Sequence, residues 1–149
     1  MKYVMIDDKC EDADFKAASE LLAEALDDSA PATEASAIEA FLRKAVASKA
    51  NARFLMLYDD NNAPAGLCSV NLCTSLGGDY LWINNFHVRD AEFAKTYGEA
   101  LAKELFRWAK EQGCVRVAGA AEKTDYEVRQ LAEMFGMEQK KMVLLDLKL

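Results

Sequence analysis

His87 is the only histidine among 149 residues, and it lies in the stretch that says most about this chain. Tyr80 to Gly113 reads YLWINNFHV, then RDAEFAKTYG, then EALAKELFRWAKEQG. Imidazole titrates near neutral pH, which suits a general base. A lone strand histidine is more often a structural residue with a satisfied ring, so both readings stand. Asn84 and Asn85 come just before it. An amide takes no proton from an ammonium ion. It can position a water or a substrate group, or satisfy the backbone around a bulge. After Val88 the chain turns without a proline and enters an amphipathic helix, with Tyr97, Leu101, Leu105 and Trp108 on one stripe. The free N–H groups at the start of such a helix attract phosphate or another anion. Phe93, Ala94, Lys95, Thr96, Tyr97, Gly98 and Glu99 are the candidate cradle, and Lys95 adds positive charge. The opposing reading is a turn that only starts a helix.

The elements that must position these residues follow from the hydrophobic period. Lys2 to Ile6 reads as a strand. Asp14 to Leu26 reads as a helix with Phe15, Ala18, Leu22, Ala25 and Leu26 on its inner face. A loop with Pro31 follows, and Asp27, Asp28 and Glu34 make it acidic. Ser36 and Glu39 are spaced as a capping box for a second helix, which buries Ile38, Phe41, Leu42, Ala45 and Val46. Arg53–Tyr58, Leu67–Thr74 and Leu81–Val88 alternate with short turns and predict an antiparallel meander. After the long helix, Val115–Ala118 reads as a strand. Thr124 and Glu127 open a last helix that Phe135-Gly136 stops, and Met142–Leu147 is a final strand. The order β-α-α-β-β-β-α-β-α-β predicts one α/β (α+β) domain over residues 1–149. Its sheet is mixed and mainly antiparallel, with helices on both faces and roughly six or seven strands. Trp82 and Trp108 are expected in the core. Asp59-Asp60 reads as a solvated turn.

Bulk composition narrows the function classes. Eighteen Lys and Arg against 25 Asp and Glu leave a net charge of −7, which disfavours nucleic acid and is compatible with amine substrates. No apolar run approaches a membrane span, and the acidic start MKYVMIDDKCEDAD does not resemble a signal peptide. Cys10, Cys68, Cys73 and Cys114 form no CxxC pair, so a zinc site is not expected. The spacing of Cys68 and Cys73 places them on opposite strand faces, and scattered thiols of this kind suggest a reducing cytoplasm.

Taken in order, these elements resemble the GCN5-related N-acetyltransferase family. LWINNFHV is similar to the family's fourth strand, and Gly98 stands ten residues beyond Val88, at the family's spacing to the last glycine of its pyrophosphate loop. Gly98-Glu99-Ala100-Leu101 resembles the family's helix start, Glu111-Gln112-Gly113-Cys114 its helix end, and Met134-Phe135-Gly136-Met137 the approach to its sixth strand. The resemblance implies acetyl-CoA as cosubstrate and no metal. It implies main-chain pairing of Phe86, His87 and Val88 with the pantetheine arm, and a pyrophosphate on residues 93–99. It also places Asp125 where the family has a cofactor-side asparagine. Phe93 stands in place of the family's Arg or Gln, and Thr96 in place of a glycine. Val128 and Ala132 take the places of the family's Ala and Tyr. That Tyr is the usual acid for the leaving thiolate, so Tyr126, earlier on the same helix, and Tyr97 are the nearest phenols. Two functions follow from the resemblance. One is acetyl transfer to a primary amine of a small molecule or protein. The other is a non-catalytic acyl-CoA sensor or interaction module. A homodimer through the sheet is compatible with either.

Overall fold

The structure is a computed structural model that describes residues 1–26, 34–89, 94–121, 126–140 and 147–148. Its elements are β1 (Lys2–Met5), α1 (Asp12–Leu26), α2 (Ala35–Ala47), β2 (Ala52–Tyr58), β3 (Pro64–Cys73), β4 (Tyr80–Val88), α3 (Ala94–Glu111), β5 (Arg116–Gly119) and α4 (Tyr126–Met134). The described strands form one sheet in the order β1-β2-β3-β4-β5. The first four run antiparallel to their neighbours, and β5 runs parallel to β4. The expected final strand at Met142–Leu147 lies almost wholly outside the described residues, as does the capping pair's Thr124.

The sheet is buried on both faces, and β2 shows why its sequence carries no polar alternation. Phe54, Met56 and Tyr58 enter the cluster under α1 and α2, with Phe15, Leu21, Ile38 and Leu42. Leu55 and Leu57 point the other way, into the cluster under α3 with Val70, Leu81, Leu101 and Leu105. Successive side chains alternate faces, so a strand covered on both sides must be apolar throughout. On α3, Leu101 and Leu105 are fully buried, and Tyr97 and Trp108 pack at the cluster's margin. Trp82 and Trp108 are thus half-buried rather than deep core.

Two local expectations are corrected. The capping box at Ser36 and Glu39 does not form. Glu34 is the N-cap, its carbonyl accepts the N–H of Ala37 at 2.9 Å, and no side chain caps the helix. Ser36 already lies inside the helix, where its hydroxyl turns to the Glu34 carboxylate at 3.5 Å, and Glu39 accepts from Arg43 at 2.8 and 2.9 Å. Phe41 is 54% exposed, although its ring meets Phe54 edge-on at 6.2 Å. The stop of α4 is as read. Gly136 takes φ 65°, and the Met137 N–H returns to the Ala132 carbonyl at 2.8 Å. The Phe106 and Phe135 rings lock α3 to this turn at 4.9 Å.

Where β3, β4 and α3 meet there is no spare volume. A Cβ on Gly66 would sit 2.9 Å from Val88 Cγ1 and 3.1 Å from the His87 carbonyl oxygen. A Cβ on Gly77, in the open β3–β4 turn, meets only Ser75 Oγ at 3.9 Å. Gly66→Ala is therefore expected to cost about 1–3 kcal/mol by overpacking, and Gly77→Ala under about 0.5 kcal/mol. Chemical denaturation of the two variants measures the contrast, and equal stabilities would contradict the packing described.

Candidate active site

The register of β3 and β4 slips between Ser69 and Val70. Ser69 lies opposite Asn85, and Val70 lies opposite Ile83. Asn84 is therefore an extra residue, a β-bulge, which bends its strand and resets which side chains face where. Before it, Leu81 and Ile83 belong to the α3 cluster, and after it Phe86 and Val88 do. Odd-numbered positions face α3 on one side of the bulge and even-numbered positions on the other. The two asparagines next to it turn to the same face, since Asn84 Nδ2 donates to Asn71 Oδ1 at 3.0 Å and Asn85 Oδ1 accepts from Ser69 Oγ at 2.8 Å. Both amides thus bond to side chains of β3 at the bulge.

The parallel ladder to β5 ends at the bulge. Its last pair is Ile83 with Gly119, and no described strand pairs with Asn85–Val88 on that side. Among the described residues this leaves a gap in the pairing of the sheet beside Asn85–Val88. Arg89 N–H donates to the Ala65 carbonyl at 2.8 Å, across to β3. Antiparallel alternation gives His87 and Asn85 the same direction, which turns the N–H groups of Phe86 and Val88 toward the gap. Gly119 completes the geometry, because a Cβ there would press on Ile83 at 3.1 Å.

Helix α3 begins at Ala94, one turn earlier than the sequence suggested, so Gly98 is buried within the helix rather than in a loop before it. The first N–H groups of α3, those of Ala94, Lys95 and Thr96, lie ahead of the point where i to i−4 bonding begins. The first turn holds no acidic residue, and Lys95 and Thr96 are exposed. Glu99 is bound to Lys103 at 2.5 Å, which lowers its pKa together with the charge of Lys95. A helix start without an acidic side chain is electrostatically suited to an anion. Phe93 and Asp125 lie outside the described residues, and so does the side chain of Tyr126, which opens α4.

On the face of β4 away from α3, His87 Nε2 lies 3.1 Å from Glu24 Oε2. Arg89 donates to both oxygens of the same carboxylate, at 2.6, 2.9 and 3.0 Å, and reaches Glu20 at 3.7 Å. Hydrogen bonds from Arg89 pull the Glu24 pKa down, His87 adds to this, and partial burial opposes it. Sequence reasoning singled out neither Glu24 nor Arg89. Glu24 reads as one more acid on a solvated helix face, and its partners lie 63 and 65 positions along the chain. A groove of about 460 Å³ runs between β1 and α3 and reaches Thr96 and Glu99 at the start of that helix, and one of about 660 Å³ runs beside Tyr58 and Asp14. Among the described residues no group of His, Cys, Asp and Glu is arranged to hold a metal ion, and no helix is long and apolar enough to cross a membrane.

The sequence profile of the acetyltransferase (GNAT) family matches residues 15–137. No curated protein matches the chain significantly. Among solved structures, a probable acetyltransferase superposes with a TM-score of 0.84 at 14% identity, covering 100% of this chain and 98% of the other. A ribosomal-protein-alanine N-acetyltransferase from Brucella melitensis biovar Abortus 2308 gives 0.75 at 14% identity over 100% of both chains. The aminoglycoside acetyltransferase AAC(6')-Iy, in complex with the bisubstrate analog CoA-S-monomethyl-acetylneamine, gives 0.71 at 14% identity over 99% of each.

The tie between Glu24 and Arg89 has a pH signature. A carboxylate whose pKa is lowered on folding stabilises the fold fully above its ordinary pKa, and loses that contribution as pH falls through the lowered value. Thermal unfolding should therefore show Glu24→Gln below the parent protein near neutral pH, with the difference closing below about pH 4. A difference independent of pH would show that the lost carboxylate acts through packing alone.

Proposed function

Because the chain belongs to the GNAT acetyltransferase family, we propose that it moves an acetyl group from acetyl-CoA to a primary amine of a small molecule or protein. The observation that carries this reading is the gap between β4 and β5, with main-chain donors along β4 and the start of α3 nearby. In this reading the pantetheine arm lies along Phe86, His87 and Val88 and completes the sheet edge that β5 leaves. A backbone N–H of β4 polarises the thioester carbonyl, where negative charge grows as the amine attacks. The pyrophosphate rests on the N–H groups of Ala94–Thr96, with Tyr97, Gly98 and Glu99 behind them and Phe93 and Asp125 completing the cofactor side. The bisubstrate CoA analog bound in one structural neighbour, and the N-acetyltransferase activity toward a protein alanine named for another, support these donor and acceptor classes.

Cofactor binding and polarisation of the carbonyl depend little on side chains in this reading. Thr96 crowds the pyrophosphate more than a glycine does, yet the main-chain donors persist. Holding amine and thioester in line contributes up to about 7–11 kcal/mol to lowering the barrier. Ala132 stands where the family has its acid, so the thiolate leaves without a dedicated donor there, and Tyr126 is the closest substitute in sequence. That same Ala132 favours the second reading, a non-catalytic acyl-CoA sensor. The proposal places the protein as a single domain in the cytoplasm, where acetyl-CoA is available and its four free thiols stay reduced.

Acetyl-CoA at about a hundredfold its dissociation constant should stabilise the protein by about 2.7 kcal/mol in a thermal shift. Gly98→Val should reduce that stabilisation strongly. Lys95→Ala should reduce it less and make it less sensitive to salt. Absence of any shift would sink both readings, and a shift with no amine-dependent release of free thiol would leave the sensor.

Tyr126→Phe is expected to lower the transfer rate less than about tenfold, that is by under about 1.4 kcal/mol. A larger loss with acetyl-CoA binding intact would establish Tyr126 as the acid of the leaving thiolate.

A further inference from the structure

The two faces of β4 beyond the bulge differ in character. On the α3 side, Phe86 and Val88 pack with Leu101 and Leu105, and Gly66 marks the closest approach of β3. The opposite face carries Asn84, Asn85, His87 and Arg89, all partly or fully accessible. In the acetyl-transfer reading, an amine reaches a thioester lying along Phe86–Val88 from this polar face. His87 sits between the two amides that point into the gap, and its imidazole stands on the side from which the amine arrives.

The ring's protonation follows from its partners. Arg89 donates to both oxygens of Glu24, so Glu24 is an ionised acceptor with no proton to give. His87 Nε2, 3.1 Å from that carboxylate, must then be the donor. In the neutral ring this places the proton on Nε2 and leaves the lone pair on Nδ1. Among the described residues, Glu24 of α1 faces the ring, while Arg89, just past the end of β4, holds that carboxylate and reaches Glu20. The carboxylate beside the ring attracts an incoming ammonium ion.

We propose that His87 is the general base of the acetyl transfer, acting through Nδ1, and that Glu24 and Arg89 are the residues that position it. The inference rests on the acetyl-transfer reading above and adds the residue that starts it. The substrate ammonium gives one proton to Nδ1, which makes the ring an imidazolium held by Glu24. The freed lone pair forms the C–N bond to the acetyl carbon. The C–S bond breaks, and its electron pair leaves with sulfur. The second nitrogen proton passes to that thiolate, which gives free CoA, and the imidazolium returns its proton to solvent. The products are one amide, one thiol and one proton.

Because the chain has one histidine, its imidazole NMR signals belong to His87 alone. Long-range proton–nitrogen correlation spectra should show the Nε2–H tautomer, and Glu24→Gln should weaken that preference. Transfer is assayed as free thiol with acetyl-CoA and glucosamine, spermidine or a peptide with N-terminal alanine. Hydroxylamine serves as an acceptor already neutral at assay pH. His87→Gln should lower kcat/KM by about 10²–10⁴-fold with the acetyl-CoA thermal shift intact, and should remove the acid limb of the pH profile. Glu24→Gln should lower the rate less and move that limb to lower pH, and hydroxylamine should suffer least from either change. An Nδ1–H tautomer overturns the proposal. So does a His87→Gln protein that keeps the parent rate and pH profile while the parent transfers acetyl. If acetyl-CoA binds and no amine is acetylated, the acetyl-transfer reading falls and the base falls with it.

Discussion

Asn84 has no counterpart of its own on β3, and the rest of the site depends on that surplus residue. A strand in strict register would continue its alternation, so Asn85 and His87 would point into the apolar cluster under α3. The bulge moves Phe86 and Val88 there instead and leaves the polar side chains on the other face. It also coincides with the end of the ladder to β5, so the strand bends where its neighbour stops. One local irregularity thus opens the gap, aims main-chain donors into it, and collects the polar side chains on one side.

The stability that holds this irregularity comes from elsewhere. The two apolar clusters, one on each face of the sheet, fix β2, β3 and the first half of β4. The Arg89–Glu24 pair is more than a third exposed, and such pairs contribute little to folding free energy. Its effect is geometric. It ties the C-terminal half of α1 to the last residues of β4, and with them the ring of His87.

Much of the fold was legible because it is repetitive. The meander follows from alternation between breaker-rich turns, and α3 from Tyr97, Leu101, Leu105 and Trp108 at helical spacing. Gly136 after Phe135 fixed one helix end, because a positive φ there calls for glycine. Beginnings were harder. Ser36 and Glu39 carry the spacing of a capping box, yet α2 starts ahead of them on a glutamate that caps through its main chain alone. The start of α3 was likewise placed a turn late, since the turn and the first helical residues share the same side-chain types. The bulge was visible only as two adjacent asparagines. The Glu24–His87–Arg89 cluster could not be read at all, because it joins positions whose proximity only the folded sheet creates.

The parity reset at Asn84 also bears on how such a protein can diverge. In the proposed reading, the donor end of the site is drawn in peptide groups, which every amino acid carries. The acceptor end is drawn in side chains, which any codon change can replace. The two can therefore be inherited under separate constraints: the first by keeping the strand path and the glycines that permit it, the second by free exchange of residues on the exposed face. Neighbours at 14% identity that keep nearly the whole chain path are what such a division of labour leaves behind.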